Sequence, residues 1–135
     1  MNSPLLGLDV GLKRTGVALS ESGIIVQPLL VLEAKPPHLT NVVREVVKLV
    51  QEYEIKTLVV GMPNTSDDGT TAQALKVESI ISQLEDALGR LPKPPLLEKV
   101  NEFGSSIDAR ELYPNDPIDS ASAAIILQTY IDTQV

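Results

Sequence analysis

The stretch "LLGLDVGLKRTGVAL", residues 5–19, decides how this chain is read. Two apolar runs flank a Lys13-Arg14 pair, and the first run carries one acid, Asp9, in its middle. A carboxylate inside a strand is costly to desolvate unless a positive group meets it. Gly7 and Gly11 stand two residues to either side of Asp9, where the missing side chain lets another backbone or a ligand come close. The pattern predicts a strand built around a functional acid, a tight turn, and a second strand, "TGVALS".

Outward from there, "GIIVQPLLVL" follows a Ser22-Gly23 turn and reads as a third strand. Three strands joined by short turns form an antiparallel meander. After "KPP" at 35–37 the period changes: Leu39, Val42, Val43, Val46, Val47, Leu49, Val50 and Tyr53 follow helical spacing, with Thr40 or Asn41 as a cap. "IKTLVVGMP" is a short buried strand, and "TAQALKVESIISQLEDALGRL" a second helix with Gly89 at its end. A strand from about Leu96 to Asn101, a short helix over 106–112 and a final helix from about Ile118 to Asp132 complete the order β-β-β-α-β-α-β-α-α. That order predicts an α/β fold with a mixed five-stranded sheet and helices on both faces, in one domain spanning residues 1–135.

Composition narrows the function. Hydrophobic residues make up 43% of the chain but aromatics only 3%, so the core is aliphatic. The absence of Cys excludes disulfides and thiolate metal sites. No apolar run approaches the roughly 20 residues of a membrane span, and the N-terminus lacks a secretory signal pattern. A cytoplasmic protein with no membrane partner is expected. The net charge of −7 argues against a sequence-blind nucleic-acid binder with a basic face, but not against an enzyme that meets phosphates through metal ions.

Three acids are the candidates for chemistry: Asp9 in the first strand, Glu102 at the end of the last strand in "KVNEFG", and Asp119 at the start of the last helix in "DPIDSASAAIIL". Functional groups gather near the carboxyl ends of strands in open α/β sheets, and carboxylates drawn together there hold divalent cations. Each acid also has a structural reading, Asp119 as a helix-start charge and Glu102 as a solvated loop acid, and spacing alone does not link the three. Asp67-Asp68-Gly69 lacks the remaining positions of a calcium loop and reads as a turn. His38 has no partner at ligand spacing, and Gln128 and Tyr130 lie on the final helix, where Tyr130 reads as packing or capping.

The chain resembles the YqgF family, a branch of the RNase H-like fold related to Holliday junction resolvases. "GLDVGLKRTGVALS" looks like the family's opening motif, "LVVGMPNTSDDGTTAQA" its central loop, "VNEFGSS" the place of its acidic pair, and "IDSASAAIILQTYID" its last-helix signature. The resemblance implies that Asp9, Glu102 and Asp119 are the catalytic acids and coordinate Mg²⁺ or Mn²⁺. It implies a nuclease that cleaves phosphodiester bonds, with 5′-end maturation of pre-16S rRNA preferred to cleavage of a DNA junction. Lys13 and Arg14 are then candidates to touch a substrate phosphate; an exposed turn pair is their structural alternative. A monomer or homodimer is expected, since resolvase relatives commonly act as dimers.

Two departures from the family pattern stand out. The acidic pair and Arg become Asn101-Glu102-Phe103, with Ser105-Ser106 following, and Phe103 reads as a core residue or a base-stacking one. The segment between Glu102 and Asp119 is 16 residues, "FGSSIDARELYPNDPI", with one Arg and no Lys, where the family carries a longer basic loop. Fewer phosphate contacts follow, so a catalytically weakened binding module is the alternative reading. A phosphate-binding domain of the sugar kinase and actin type needs a second lobe that 135 residues cannot supply.

Overall fold

The computed structural model describes residues 3–34, 40–63, 72–101 and 109–134. Nine elements follow in chain order: β1 Leu5–Val10, β2 Arg14–Ser20, β3 Gln27–Glu33, α1 Thr40–Glu52, β4 Thr57–Met62, α2 Ala72–Leu88, β5 Leu96–Asn101, α3 Ala109–Leu112 and α4 Ile118–Thr133. The sheet order is β3-β2-β1-β4-β5. β1–β2 and β2–β3 pair antiparallel, whereas β1–β4 and β4–β5 pair parallel. The meander feeding βα units expected from the pattern is what forms. The mixed five-stranded α/β architecture is borne out.

Strand alternation divides the core in two. Leu6, Leu8 and Val10 of β1, with Val17 and Leu19 of β2 and Leu58 and Val60 of β4, face α1 and α2. Leu5, Ala18 and Val59 point the other way and pack on Ala123, Ala124, Leu127 and Ile131 of α4. β1 is covered on both faces, so a continuous apolar run there is required rather than an alternating one. The small residues of α4 let that helix lie close to the sheet: a Cβ at Gly7 would stand 2.9 Å from the Leu127 Cβ and 3.1 Å from the Ala123 carbonyl oxygen.

The third strand begins later than its apolar run. Ile24 and Ile25 are exposed, and β3 starts at Gln27. The reason is local hydrogen bonding. The Ser20 Oγ accepts the Gly23 N–H at 3.1 Å, the Ser22 Oγ accepts those of Ile24 and Ile25 at 3.1 and 3.0 Å, and Gly23 sits at φ 81°. Side chain-to-backbone bonds of this kind compete with the ladder. The end of α1 is closed by Glu54 at φ 51°, with the Ile55 N–H donating to the Val50 carbonyl at 2.9 Å. That is a left-handed helix stop on a residue that is not glycine. Gly89 takes an ordinary φ, and its N–H extends the helical bonding to the Glu85 carbonyl. No described helix is long and apolar enough to cross a membrane.

Candidate active site

Asp9 is the penultimate residue of β1, at the carboxyl end of the strand, and is partly buried. Its direct partner across the β1–β2 pair is Gly16. Directly opposed strand residues share a face and lie about 5 Å apart at Cα. On that face Gly16 meets the start of α4. A Cβ added at Gly16 would fall 1.8 Å from the Asp119 carbonyl oxygen, 2.2 Å from its carbonyl carbon and 2.7 Å from the Ser120 nitrogen. The glycine is therefore the seat on which the α4 N-terminus rests. It brings Asp9 and Asp119 to either side of one residue.

The start of α4 carries Asp119 in its first turn, after Pro117, with no side-chain cap bond at the cap position. Ser120, almost fully buried, donates its hydroxyl to the Pro117 carbonyl at 3.1 Å. Asp119 thus owes its placement to the backbone of α4 and not to a capping role of its own carboxylate.

Arg14, two residues before Gly16 on β2, completes the group. Its Nε donates to the Asp119 Oδ2 at 3.1 Å, with the Arg14 side chain 56% exposed and that of Asp119 28% exposed. Arg14, drawn from the same first stretch of sequence as Asp9, pairs with the acid 105 residues away. Lys13 is exposed; its backbone carbonyl accepts the Ala34 N–H at 2.9 Å, tying the β1–β2 turn to the end of β3. The turn is closed by the Gly11 N–H donating to the Arg14 carbonyl at 2.8 Å.

Two residues that sequence reasoning passed over hold this turn from the other face. Gln73 donates Nε2 to the Val10 carbonyl at 3.1 Å, and Lys76 donates Nζ to the Leu12 carbonyl. Burial pushes the Lys76 amine below the usual lysine range. Their spacing of three on α2 places both on one helix face, which is the only trace that the sequence offers. On the far half of α4, the Gln128 Nε2 donates to Asp132 at 2.9 Å, and Tyr130 packs against the α4-side core. Burial, with the Glu98 carboxylate second, pushes the Tyr130 phenol above its ordinary range. Tyr130 has the packing role expected of it.

Glu102 follows the last residue of β5 and lies outside the described residues, as do His38, Asp67-Asp68-Gly69, Phe103 and Ser105-Ser106. Val100, two residues before Glu102, packs on the α4-side cluster that flanks the site. Among the described residues no group of three or more His, Cys, Asp or Glu side chains converges as a metal site. The structure brings together Asp9, Asp119 and Arg14, and leaves Lys13 on the adjoining turn. The donor chemistry at this end of the sheet is carboxylate oxygen, which suits a hard divalent cation such as Mg²⁺ or Mn²⁺.

Comparison with known proteins identifies the family. A family profile described as "RuvX: Holliday junction resolvase" matches residues 3–133. A protein of Chloroflexus aggregans named "Putative pre-16S rRNA nuclease" is 32% identical over 140 residues, covering 96% of this chain and 94% of that protein. One of the same name from Gloeothece citriformis is 37% identical over 137 residues, covering 94% of this chain and 86% of that protein. Among solved structures, Thermus thermophilus RuvC in complex with Holliday junction substrate superposes with a TM-score of 0.68 at 12% identity, covering 96% of this chain and 94% of that one. The yeast mitochondrial Holliday junction resolvase Ydc2 gives 0.61 at 11% identity, covering 98% and 79%. At those identities the structural likeness concerns the fold.

Proposed function

The chain belongs to the family described as RuvX: Holliday junction resolvase, and from that premise we propose that it is a divalent metal-dependent nuclease that hydrolyses phosphodiester bonds, acting in 5′-end maturation of pre-16S rRNA. The observation that carries the proposal is the seating of the α4 start on Gly16, which sets Asp119 beside Asp9 at the carboxyl end of β1. Two acids start from neighbouring backbone positions in a protein of net charge −7, and carboxylates drawn together there would need positive charge to offset their repulsion. The rRNA substrate rests on the curated relatives' names.

Asp9 and Asp119 would hold the cation, with Glu102 proposed as the third acid. When bound, Mg²⁺ or Mn²⁺ activates water and stabilises the charge that develops on the phosphate. The chain's own residues supply the geometry. β1 fixes Asp9 through its ladder with β2 and β4, Gly16 fixes the approach of Asp119, and Gln73 and Lys76 hold the intervening turn. Arg14 pairs with the Asp119 carboxylate and Lys13 lies exposed on the adjoining turn; both would supply positive charge for a strand phosphate. The family's description as a Holliday junction resolvase favours a second reading, a resolvase-like endonuclease on DNA.

The test is calorimetric Mn²⁺ titration and cleavage of a 5′-extended 16S rRNA fragment against a four-way DNA junction, with the protein as found and with Asp9→Asn and Asp119→Asn. Each substitution is expected to abolish or strongly weaken Mn²⁺ binding and to slow cleavage about 100-fold. Cleavage of the junction alone selects the DNA reading. Failure to bind Mn²⁺, or cleavage unaffected by both substitutions, overturns the nuclease assignment in favour of a binding module.

A further inference from the structure

The Arg14–Asp119 ion pair sets a problem for the site as proposed, because a cation and a guanidinium compete for one carboxylate. We propose that Arg14 is a displaceable counter-ion: it holds Asp119 until a divalent cation arrives, and the released guanidinium then takes a phosphate of the bound strand. The inference rests on the metal-dependent reading above and adds to it a coupling between metal and nucleic acid.

Four observations support the exchange. The pair is a single contact from Nε to Oδ2 at 3.1 Å, not a two-pronged one. A bidentate pair is the geometry that Arg uses where it is meant to stay. Arg14 is more than half exposed, and exposed ion pairs contribute little net stability. Its backbone is fixed, by the carbonyl that accepts the Gly11 N–H and by pairing opposite Glu33 on β3, so the change is confined to a flexible side chain on a rigid strand. The register places Arg14 on the face shared by Asp9, Gly16 and Asp119. Its charge lies against the Asp119 carboxylate, on the strand face that also carries Asp9, and there it opposes a second positive charge beside it.

The consequence is an opposition that neither a purely structural Arg nor a simple phosphate contact produces. Removing Arg14 should tighten metal binding, because the competitor is gone, and should weaken nucleic-acid binding, because a phosphate contact is gone. In the unaltered protein metal and nucleic acid should each strengthen binding of the other, as linkage requires. The Asp119 carboxylate is the shared element.

Mn²⁺ affinity is measured by calorimetry at low salt for the unaltered protein, Arg14→Gln, Arg14→Lys and Asp119→Asn. Fluorescence anisotropy then follows a labelled single-stranded RNA with and without Mn²⁺ on ice, before cleavage. Arg14→Gln is expected to bind Mn²⁺ about two- to fivefold more tightly, the range of an exposed ion pair, with the gain shrinking at high salt. Arg14→Lys keeps the charge and should stay near the unaltered affinity. Arg14→Gln should also bind the Mn²⁺-dependent RNA complex less tightly, with a salt slope about one unit smaller. Equal or weaker Mn²⁺ binding by Arg14→Gln overturns the proposal, as does unchanged RNA affinity and slope. Loss of Mn²⁺ binding in Asp119→Asn is expected under both readings; if the unaltered protein binds Mn²⁺ and Arg14→Gln binds it no more tightly, that failure belongs to the counter-ion inference alone. If the unaltered protein binds no Mn²⁺, the functional reading falls and takes the inference with it.

Discussion

Gly16→Ala is the most direct probe of how the fold makes the site. The new Cβ would lie 1.8 Å from the Asp119 carbonyl oxygen, where real Cβ atoms essentially never come within 3.0 Å. The start of α4 must therefore move from β2 by at least about 1 Å, because the obstructing atoms are backbone and cannot rotate away; such overpacking costs about 1–3 kcal/mol. In urea unfolding that corresponds to a midpoint lowered by about 1 M. A displacement of this size at a reacting group also costs about 100-fold in function, so Mn²⁺ binding should fall steeply while the circular dichroism of the folded protein persists. Gly7→Ala is the control. Its Cβ would meet the Leu127 Cβ at 2.9 Å and the Ala123 carbonyl oxygen at 3.1 Å, and it pairs with Ala18, one step down the sheet from the acids. That substitution should cost about 1 kcal/mol and leave Mn²⁺ affinity unchanged. Gly16→Ala with the stability and metal affinity of the unaltered protein would refute the claim that this glycine seats Asp119.

Three further outcomes follow from the structure. Glu54 holds a left-handed φ at the end of α1, so Glu54→Gly should stabilise the protein by about 0.5–1 kcal/mol, raising the melting temperature by about 3 °C. Lys76→Met removes the bond to the Leu12 carbonyl and should cost about 0.5–1.5 kcal/mol near neutral pH, with faster amide exchange at Gly11. Because burial lowers the Lys76 pKa, the charged amine is penalised in the fold; the unaltered protein should gain stability relative to Lys76→Met as pH rises from that lowered pKa to about 10.5. For Tyr130 the sign is reversed. Its raised phenol pKa contributes stability below about pH 10 that is lost as pH rises through the folded pKa. Tyr130→Phe should therefore flatten the alkaline limb of the stability curve. In an ultraviolet titration Glu98→Gln should lower the Tyr130 pKa only part of the way, since burial is the larger cause.

Much of the architecture was legible along the chain because burial leaves a one-dimensional trace. Period-two and period-3.6 patterns gave the strands and helices, and β5 runs from Leu96 to Asn101 as its pattern indicates. α1 formed despite its β-branched content, because Val42, Val46, Leu49 and Val50 present one face to the core. The pattern misled where hydrogen bonding outweighed hydrophobicity, at the exposed Ile24 and Ile25 beyond the Ser20–Ser22 turn. Asp9 stood out in the sequence as an acid among apolar neighbours flanked by glycines, and Asp119 through the last-helix signature.

The meeting of these residues was not legible. The Arg14–Asp119 pair spans 105 residues, and the bonds of Gln73 and Lys76 to the β1–β2 turn span 63 and 64. The sequence by itself determined an aliphatic α/β sheet, its element order and the residue types able to carry phosphodiester chemistry. Only the tertiary structure decided which glycine lets α4 descend onto the sheet, which acid Arg14 reaches, and which side chains hold the turn. The physical reason is that periodicity records how often a residue faces the core, whereas a contact between distant elements depends on how closely their backbones can approach, and that distance is set by the packing of the whole fold.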